Sequence, residues 1–273
     1  MRDQRRDRRP FRTLGLLMVA LSFPASSSGQ PAEEVDRIAD FLRNADIVEA
    51  RSIPTGVTEP YRLTLSDGTL THDAAFNVSN KRSTIERFED GTFETNFVDS
   101  YRYNVAAFRL ARLLGLEDAV PVTVERRWNG KVGSLSWWVD DAMTEGERKA
   151  RRLAAPNMLA WNREIYRVRA FNNLVYDTDR NLGNMLIADW HCWMIDFTRA
   201  FRRWPRLPAQ TDLQQISRVL LEGLRALTPE AVAEQTAPHL EPDEIEALLV
   251  RRDLIVAHFD DLIATRGEGA VVH

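Results

Sequence analysis

Residues able to bind a cation are concentrated in one stretch of the chain, from Tyr176 to Phe201. Asp179, Arg180 and Asn184 fall in a polar segment, and a second acid, Asp196, follows among apolar neighbours. Carboxylate and amide oxygens are the ligands that hard cations such as Mg²⁺ prefer in proteins. If the fold brings these side chains together, they would form a cation site of the kind that binds phosphate groups.

Two short apolar runs separate Asn184 from Asp196. They read MLIA and CWMI, with Asp189-Trp190 between them, and this pattern predicts a tight β-hairpin. A hairpin returns the chain to the level at which it started, so we expect Asp196 to lie beside Asn184. This arrangement is typical of phosphoryl transfer, in which acidic and amide side chains hold metal-bound phosphates.

The same segment has two alternative interpretations. A calcium-binding loop would need glycine at its sixth position and glutamate at its twelfth, where this chain has Leu182 and Ala188, so the spacing excludes it. The second alternative is a solvated acidic turn ahead of a hairpin. The presence of two motifs at a suitable separation argues against that alternative but leaves it open.

The two motifs resemble those of a known group of kinases. Residues 179–184, DRNLGN, look like the D-R-x-x-x-N catalytic loop of phosphatidylinositol 3-/4-kinases, and residues 195–197, IDF, look like their metal-binding strand. HipA-type kinases and the secreted Golgi kinases share variants of this plan. The resemblance implies that Asp179 and Arg180 are catalytic, with Asp179 as the base. It also implies that Asn184 and Asp196 bind Mg²⁺ or Mn²⁺ on ATP.

Residues 54–60, PTGVTEP, are a candidate phosphate-binding loop. The segment is similar to the phosphate loop of HipA-type kinases, and it would place Thr55, Gly56, Val57 and Thr58 over the nucleotide. An ordinary turn between two strands is an equally good interpretation.

The lysine and glutamate that kinases use to position ATP phosphates are both replaced by amides. The strand after the hairpin signal Asp67-Gly68 carries Asn77 where the resemblance places the lysine, and a helix expected over residues 100–115 carries Asn104 where it places the glutamate. Lys81 is the only lysine near the strand end and is a candidate substitute. A hydrogen bond between Asn77 and Asn104 would preserve the geometry without supplying charge. A catalytically degenerate pseudokinase that binds nucleotide or a partner protein therefore remains the alternative.

Hydrophobic periodicity predicts the elements that position these residues. Helices are expected near residues 33–42, 156–176, 212–227, 229–235 and 243–265, and a further hairpin is expected around Asn129-Gly130. We therefore predict a two-lobed α+β fold of the protein-kinase-like class. Its β-rich lobe would span residues 31–140, and its helical lobe with the catalytic loop would span residues 141–273.

Two other features of this region have structural interpretations. Cys192 is the only cysteine, which excludes an intramolecular disulfide, and its place in a strand favours core packing over a nucleophilic role. The basic segment 198–203, TRAFRR, either meets an anionic acceptor or forms a solvated or acid-paired face.

Residues 1–30 have the composition of an export signal. An arginine-rich start precedes the apolar run from Leu14 to Phe23, and small residues follow Pro24. Residues 8–11, RRPF, resemble the core of a twin-arginine signal. These features predict a periplasmic or extracellular protein without a transmembrane helix in its mature chain, because the apolar run is too short to span a bilayer. A wrongly chosen start codon ahead of a cytoplasmic protein is the alternative.

The formal net charge of −4 argues against nucleic-acid binding. The leading functional hypothesis is ATP-dependent phosphate transfer to a hydroxyl group. The sequence does not distinguish among protein, lipid and small-molecule acceptors.

Overall fold

The computed structural model of the protein describes residues 32–53 and 60–273. Its N-terminal part contains a five-stranded antiparallel sheet and two helices. The strands are β1 (Asp46–Ser52), β2 (Tyr61–Ser66), β3 (Thr71–Asn77), β6 (Thr123–Trp128) and β7 (Lys131–Trp137), and the helices are α1 (Ala32–Asn44) and α2 (Arg102–Leu113). The strand order is β1-β2-β3-β7-β6, and both helices pack on β6 and β7. The hairpins expected at Asp67-Gly68 and Asn129-Gly130 join β2 to β3 and β6 to β7.

Alternation along β3 decides which side chains of the sheet face the site. Ala74 and Phe76 are buried in the core, and successive side chains of a strand point to opposite faces. Ala75 and Asn77 therefore face the other way, and both line a cleft below the sheet. The alternation of side chains along β3 therefore places Asn77 beside the candidate site.

An additional hairpin lies between β3 and α2 and was not predicted. It consists of β4 (Asn80–Arg87) and β5 (Phe93–Ser100), which form a separate two-stranded sheet. Most residues of β4 and the first half of β5 are exposed, so the strands lack the apolar alternation by which a half-buried strand is recognised. Lys81 lies in β4, opposite Asp99 in β5.

The C-terminal part is mainly helical, as expected. A small sheet with the order β10-β9-β8 contains the predicted hairpin, which follows the loop of residues 177–184. The elements are β8 (Met143–Thr144), α3 (Glu145–Ala150), α4 (Met158–Val175), β9 (Met185–Ala188), β10 (His191–Met194), α5 (Arg218–Ala226), α6 (Pro229–Thr236), α7 (Pro242–Arg266) and α8 (Glu268–Val271). None of the helices in the described part of the chain is long and apolar enough to cross a membrane.

Helix α2 is held between the sheet and the C-terminal helices. The hydroxyl of Tyr103 donates to Glu244 Oε1 of α7 at 2.5 Å, and Arg109 donates to the carbonyls of Gln235 and Ala237 at the C-terminal end of α6. These bonds fix α2 from the side opposite the sheet. As a result, the helix that carries Asn104 has a defined position relative to both parts of the fold.

Cys192 packs in the core, as predicted, and we expect it to be chemically inert in the native protein. Its side chain is completely buried, and this burial raises the pKa of the thiol to about 12. At pH 8 the reactive thiolate would then be about one part in 10⁴ of the total. A thiol-alkylating reagent at pH 8 should leave the native protein unmodified and label it after denaturation, as read by mass spectrometry. Equal labelling rates in the native and denatured protein would contradict this.

Candidate nucleotide-binding site

The loop of residues 177–184 begins where α4 ends. The side chain of Asn157 accepts hydrogen bonds from the first turn of α4 and fixes its start. The helix ends at Val175, and the next residue, Tyr176, has a left-handed φ of +46°. The Tyr176 ring packs against Trp204 with ring centroids 4.9 Å apart. This turn directs the chain out of the helix and towards the cleft.

Arg180 holds the loop of residues 177–184 in place. Its guanidinium lies 2.5 Å from the carboxylate of Asp177, whose side chain is completely buried. It also donates to the carbonyls of Asn184 at 2.7 Å and Ile195 at 2.6 Å, and it stacks over the Phe197 ring at 4.3 Å. Arg180 does not line the cleft. These contacts give Arg180 a positioning role, and the catalytic role expected from the sequence stays a prediction.

Asn184 and Asp196 lie side by side, as the hairpin predicts. The backbone N–H of Ile195 donates to the Asn184 carbonyl at 3.1 Å, which fixes the level of Asp196. The Asn184 side-chain amide donates to the Asp179 carbonyl at 2.9 Å. Both Asn184 and Asp196 line the cleft. The remaining amide oxygen of Asn184 accepts no hydrogen bond from a described residue, so it is available to a ligand.

The carboxylate of Asp196 is held in an electrostatically unfavourable place. It opens to the cleft, but protein surrounds it on its other sides, and the resulting loss of solvation raises the pKa of Asp196 above its ordinary value. Hydrogen bonds from Thr198 lower the pKa, and repulsion from Asp99 raises it. The backbone of Asp196 has a left-handed φ of +53°. A bound cation would relieve the repulsion between the two carboxylates.

Asp99 is a site residue that the sequence analysis missed. It lies in β5, and its carboxylate accepts a hydrogen bond from Ser79 Oγ at 2.6 Å. Because the β4–β5 hairpin was not predicted, nothing in the sequence placed this acid near Asp196. The sequence showed only that this acid comes shortly before the helix that carries Asn104.

The donor set suits a cation that is shared with phosphate groups. Within the described residues, no group of three or more His, Cys, Asp and Glu side chains is arranged to hold a metal ion. Asn184, Asp196 and the nearby Asp99 offer only part of a six-oxygen shell. Mg²⁺ commonly takes one or two carboxylates from the protein and completes its shell with phosphate oxygens and water. The residues present therefore fit a metal–nucleotide complex better than a free metal ion.

The two amides that replace the expected lysine and glutamate have separate partners. Asn77 lines the cleft, and its side-chain oxygen accepts from the Ser79 N–H at 2.7 Å. Asn104 accepts from the Phe197 N–H at 2.7 Å and donates to Ser134 Oγ at 3.1 Å. The Asn77–Asn104 hydrogen bond considered from the sequence is therefore not formed. Asn104 instead ties α2 to the segment that carries Asp196.

Lys81 does not lie at the cleft, contrary to the expectation from the sequence. Its ammonium group pairs with Glu86 at 2.6 Å on the exposed β4–β5 hairpin. The only cation among the described residues that line the cleft is Arg62, in β2. Its guanidinium lies 2.5 Å from Asp73 and stacks over Trp138 at 4.2 Å. Sequence analysis missed Arg62 because it faces the cleft from the start of a strand, outside any motif.

The cleft lies between the two parts of the fold and has a volume of about 860 Å³. Apolar side chains of Ala75, Val120, Leu186 and Met194 line it, and the chain crosses between the two parts at residues 138–142. This volume is within the range of small-molecule and cofactor sites. Residues 55–58, predicted to cover the phosphates, lie outside the described residues, while Ile53 and Pro60 on either side line the cleft.

The basic segment after Asp196 is paired with acids. Arg199 and Arg202 lie 2.5 and 2.9 Å from the carboxylate of Glu94 in β5, and Arg203 lies 2.6 Å from Asp243. Of the two interpretations that the sequence left open, the structure shows the acid-paired face.

The protein has a protein-kinase-like fold. Four features define it: a five-stranded sheet, a buried helix across the sheet, a helical second lobe, and a cleft between the two lobes. Asn184 and Asp196 both line that cleft. The predicted α+β, two-lobed, kinase-like class is confirmed.

Solved structures of atypical kinases share this fold. Hydra Fam20, solved with sugar, superposes with a TM-score of 0.67 at 13% sequence identity, covering 90% of this chain and 93% of that chain. The Golgi casein kinase with Mn/ADP bound gives a TM-score of 0.62 at 16% identity, with 89% and 79% covered. The Helicobacter pylori proinflammatory kinase CtkA gives 0.50 at 12% identity, with 85% and 99% covered.

No protein-family model matches the sequence, and no curated protein matches it. The similarity to the Golgi kinases bears out one part of the resemblance seen in the sequence. The finer likeness to phosphatidylinositol 3-/4-kinases and HipA-type kinases stays a prediction.

Proposed function

We propose that the protein is an ATP-dependent phosphotransferase that acts on a hydroxyl acceptor. The observation that carries the proposal is the meeting of Asn184 and Asp196 in the cleft, with Asp179 tied to Asn184 in the same loop. The solved Golgi casein kinase with Mn/ADP bound supports a nucleotide and a divalent cation as ligands of this fold.

Each residue has a separate role in the proposed reaction. Asn184 and Asp196 would hold Mg²⁺ or Mn²⁺, which when bound neutralises charge on the ATP phosphates. Asp179 would accept the proton of the acceptor hydroxyl and orient that oxygen towards the terminal phosphate. Arg180 and Asp177 would keep the loop in position. Asn104 would hold α2 against the segment that carries Asp196.

A nucleotide-binding pseudokinase is the second candidate, and one specific observation favours it. No lysine lines the described part of the cleft, and the Asn77 side chain is engaged with Ser79. The site thus lacks the cation that kinases place on ATP phosphates from this strand. Binding of nucleotide without turnover would be the expected behaviour.

Incubation of the purified protein with γ-labelled ATP and Mg²⁺ or Mn²⁺ distinguishes these two functions. Release of phosphate or labelling of the protein, lost in an Asp179→Asn variant, would support the phosphotransferase. Saturable nucleotide binding without either product, across protein, lipid and small-molecule acceptors, would support the pseudokinase.

Arg62 should contribute to nucleotide affinity, whereas Lys81 should not. Arg62→Ala removes the only cation among the described cleft-lining residues, and we expect it to weaken Mg²⁺-ATP binding by about 1–3 kcal/mol. Lys81→Ala breaks an exposed pair with Glu86 and should leave the affinity unchanged. Calorimetric titration of both variants tests this, and the reverse order of effects would contradict the placement.

Export stays a prediction of the sequence. The candidate signal lies outside the described residues, and the Golgi kinases of similar fold are compatible with an exported protein. An exported kinase would need a supply of ATP outside the cytoplasm.

A further inference from the structure

The segment of residues 148–163 carries an unusual concentration of positive charge. It contains five basic residues, Arg148, Lys149, Arg151, Arg152 and Arg163, and no acidic residue. The whole chain, by contrast, has a formal net charge of −4. Such an asymmetry marks a candidate surface for an anionic partner. None of these residues lines the cleft.

Large apolar side chains are exposed in the same segment. Leu153, Met158 and Leu159 have 37%, 57% and 61% of their surface exposed. Every residue from 151 to 160 is exposed except Ala155, which is half-buried. Single exposed apolar residues are common on proteins, but three of them next to a cluster of cations are not explained by the core.

The fold holds this segment in a defined shape. Arg148 pairs with the buried Glu145 at 2.6 Å, stacks over Trp161 at 4.9 Å and donates to the carbonyl of Leu153. These contacts close the turn between α3 and α4. The apolar side chains are therefore presented by a braced turn and by the first turn of α4, which Asn157 caps.

The neighbouring cations are exposed and weakly paired. Lys149 lies 3.7 Å from Glu145, Arg151 lies 3.9 Å from Glu147, and their side chains are 54% and 60% exposed. Arg152 is exposed as well. Long pairs at the surface contribute little and leave the cations free to meet another anion.

We propose that the basic-apolar segment (residues 148–163) is a docking surface for an anionic lipid bilayer. Adjacent basic and aliphatic side chains can bind lipid headgroups and enter the boundary with the acyl chains at the same time. An acidic protein is the less suitable partner, since the exposed apolar residues in the segment are aliphatic, whereas protein interfaces favour aromatic anchors. The proposal does not depend on phosphate transfer.

The catalytic loop lies next to this surface. The Gly146 N–H, one turn before Lys149 and Ala150, donates to the Leu182 carbonyl at 3.2 Å, and Leu182 is also 42% exposed. Docking through the basic-apolar segment would therefore bring residues 179–184 close to the lipid surface.

Vesicle sedimentation with the full chain tests the proposal. Vesicles of phosphatidylcholine alone are compared with vesicles of phosphatidylcholine mixed equally with phosphatidylglycerol. We expect binding to the anionic vesicles, weakened on the order of 100-fold in Lys149→Gln/Arg151→Gln/Arg152→Gln and weakened by salt. The triple variant Leu153→Ser/Met158→Ser/Leu159→Ser should lose about tenfold or more. All chains carry the same N-terminal segment, so its own affinity for lipid is common to every comparison.

A matched control variant on α5 separates the effect of this surface from general effects of charge and hydrophobicity. Val219 is 63% exposed, and Arg218→Gln/Val219→Ser/Arg225→Gln should bind vesicles as the wild type does. Thermal melting checks that each variant is folded. Unchanged vesicle binding in both segment variants would overturn the proposal. A second result would also overturn it: vesicle binding that depends on the cations but not on Leu153, Met158 and Leu159, and for which polyglutamate competes as well as the vesicles do. That result would indicate an acidic protein partner.

Discussion

Asp179→Ala is expected to lower phosphate transfer on the order of 10²- to 10⁴-fold, the usual contribution of a general base. The side chain of Asp179 accepts only a 3.2 Å hydrogen bond from Asn181, and the rest of its bonds are made by its backbone. Melting temperature and nucleotide affinity should therefore change little. Turnover with γ-labelled ATP, together with a nucleotide titration, measures the two effects separately.

Two further variants control this experiment. Asp179→Asn keeps the size and the contact with Asn181 but cannot accept a proton, so it should be as inactive as the alanine variant. Asp189→Asn changes an exposed acid in the nearby hairpin turn, where the left-handed φ of +49° suits asparagine, and should leave turnover unchanged. Retention of wild-type turnover in Asp179→Asn would rule out the base role.

Asp177→Ala should be among the most destabilising changes in the chain. The side chain of Asp177 is completely buried, accepts a hydrogen bond from the Asp179 N–H at 2.9 Å and pairs with Arg180 at 2.5 Å. Its removal leaves a guanidinium enclosed by protein without its counter-ion, which costs about 3–5 kcal/mol. Denaturant unfolding measures the loss, and phosphate transfer should fall with it, since the same pair holds the loop.

The surface pair of Asp40 and Arg43 provides the comparison. Asp40→Ala breaks a 2.9 Å pair whose side chains are mostly exposed, and it should cost about 0–1 kcal/mol. The double variant Asp177→Ala/Arg180→Met should recover much of the lost stability, because it removes the uncompensated charge. A cost for Asp177→Ala as small as that of Asp40→Ala would show that the pair does not brace the loop.

The elements that sequence patterns predicted are those with one buried and one exposed face. The hairpin of β9 and β10 alternates and has a tight turn, so its strands and their effect on Asp196 could be derived before the structure was known. The β4–β5 hairpin has few buried positions outside the end of β5, and therefore its strands gave no periodic signal. The errors at Lys81 and Asp99 follow from that one omission.

Motif spacing alone could predict the candidate site only where residues that are neighbours in the chain form it. Asp179, Asn184 and Asp196 are close in sequence, and a single hairpin relates them. Arg62 and Asp99 reach the site from distant strands and Asn104 reaches it from α2, so their positions depend on how these elements pair and pack. Motif spacing carries no information about such contacts, which arise from tertiary packing.

The most direct test of the account is whether Asp196 binds a metal–nucleotide complex. Wild-type protein should melt at a higher temperature with Mg²⁺-ADP than without it. At a ligand concentration 100 times the Kd, binding adds about 2.7 kcal/mol to the free energy of unfolding. Asp196→Asn should lose most of this increase. Without ligand it should melt no lower than wild type at neutral pH, because a raised pKa means that the ionised carboxylate opposes folding there. An equal increase with Mg²⁺-ADP in both proteins would contradict the assignment of this cleft as a metal–nucleotide site.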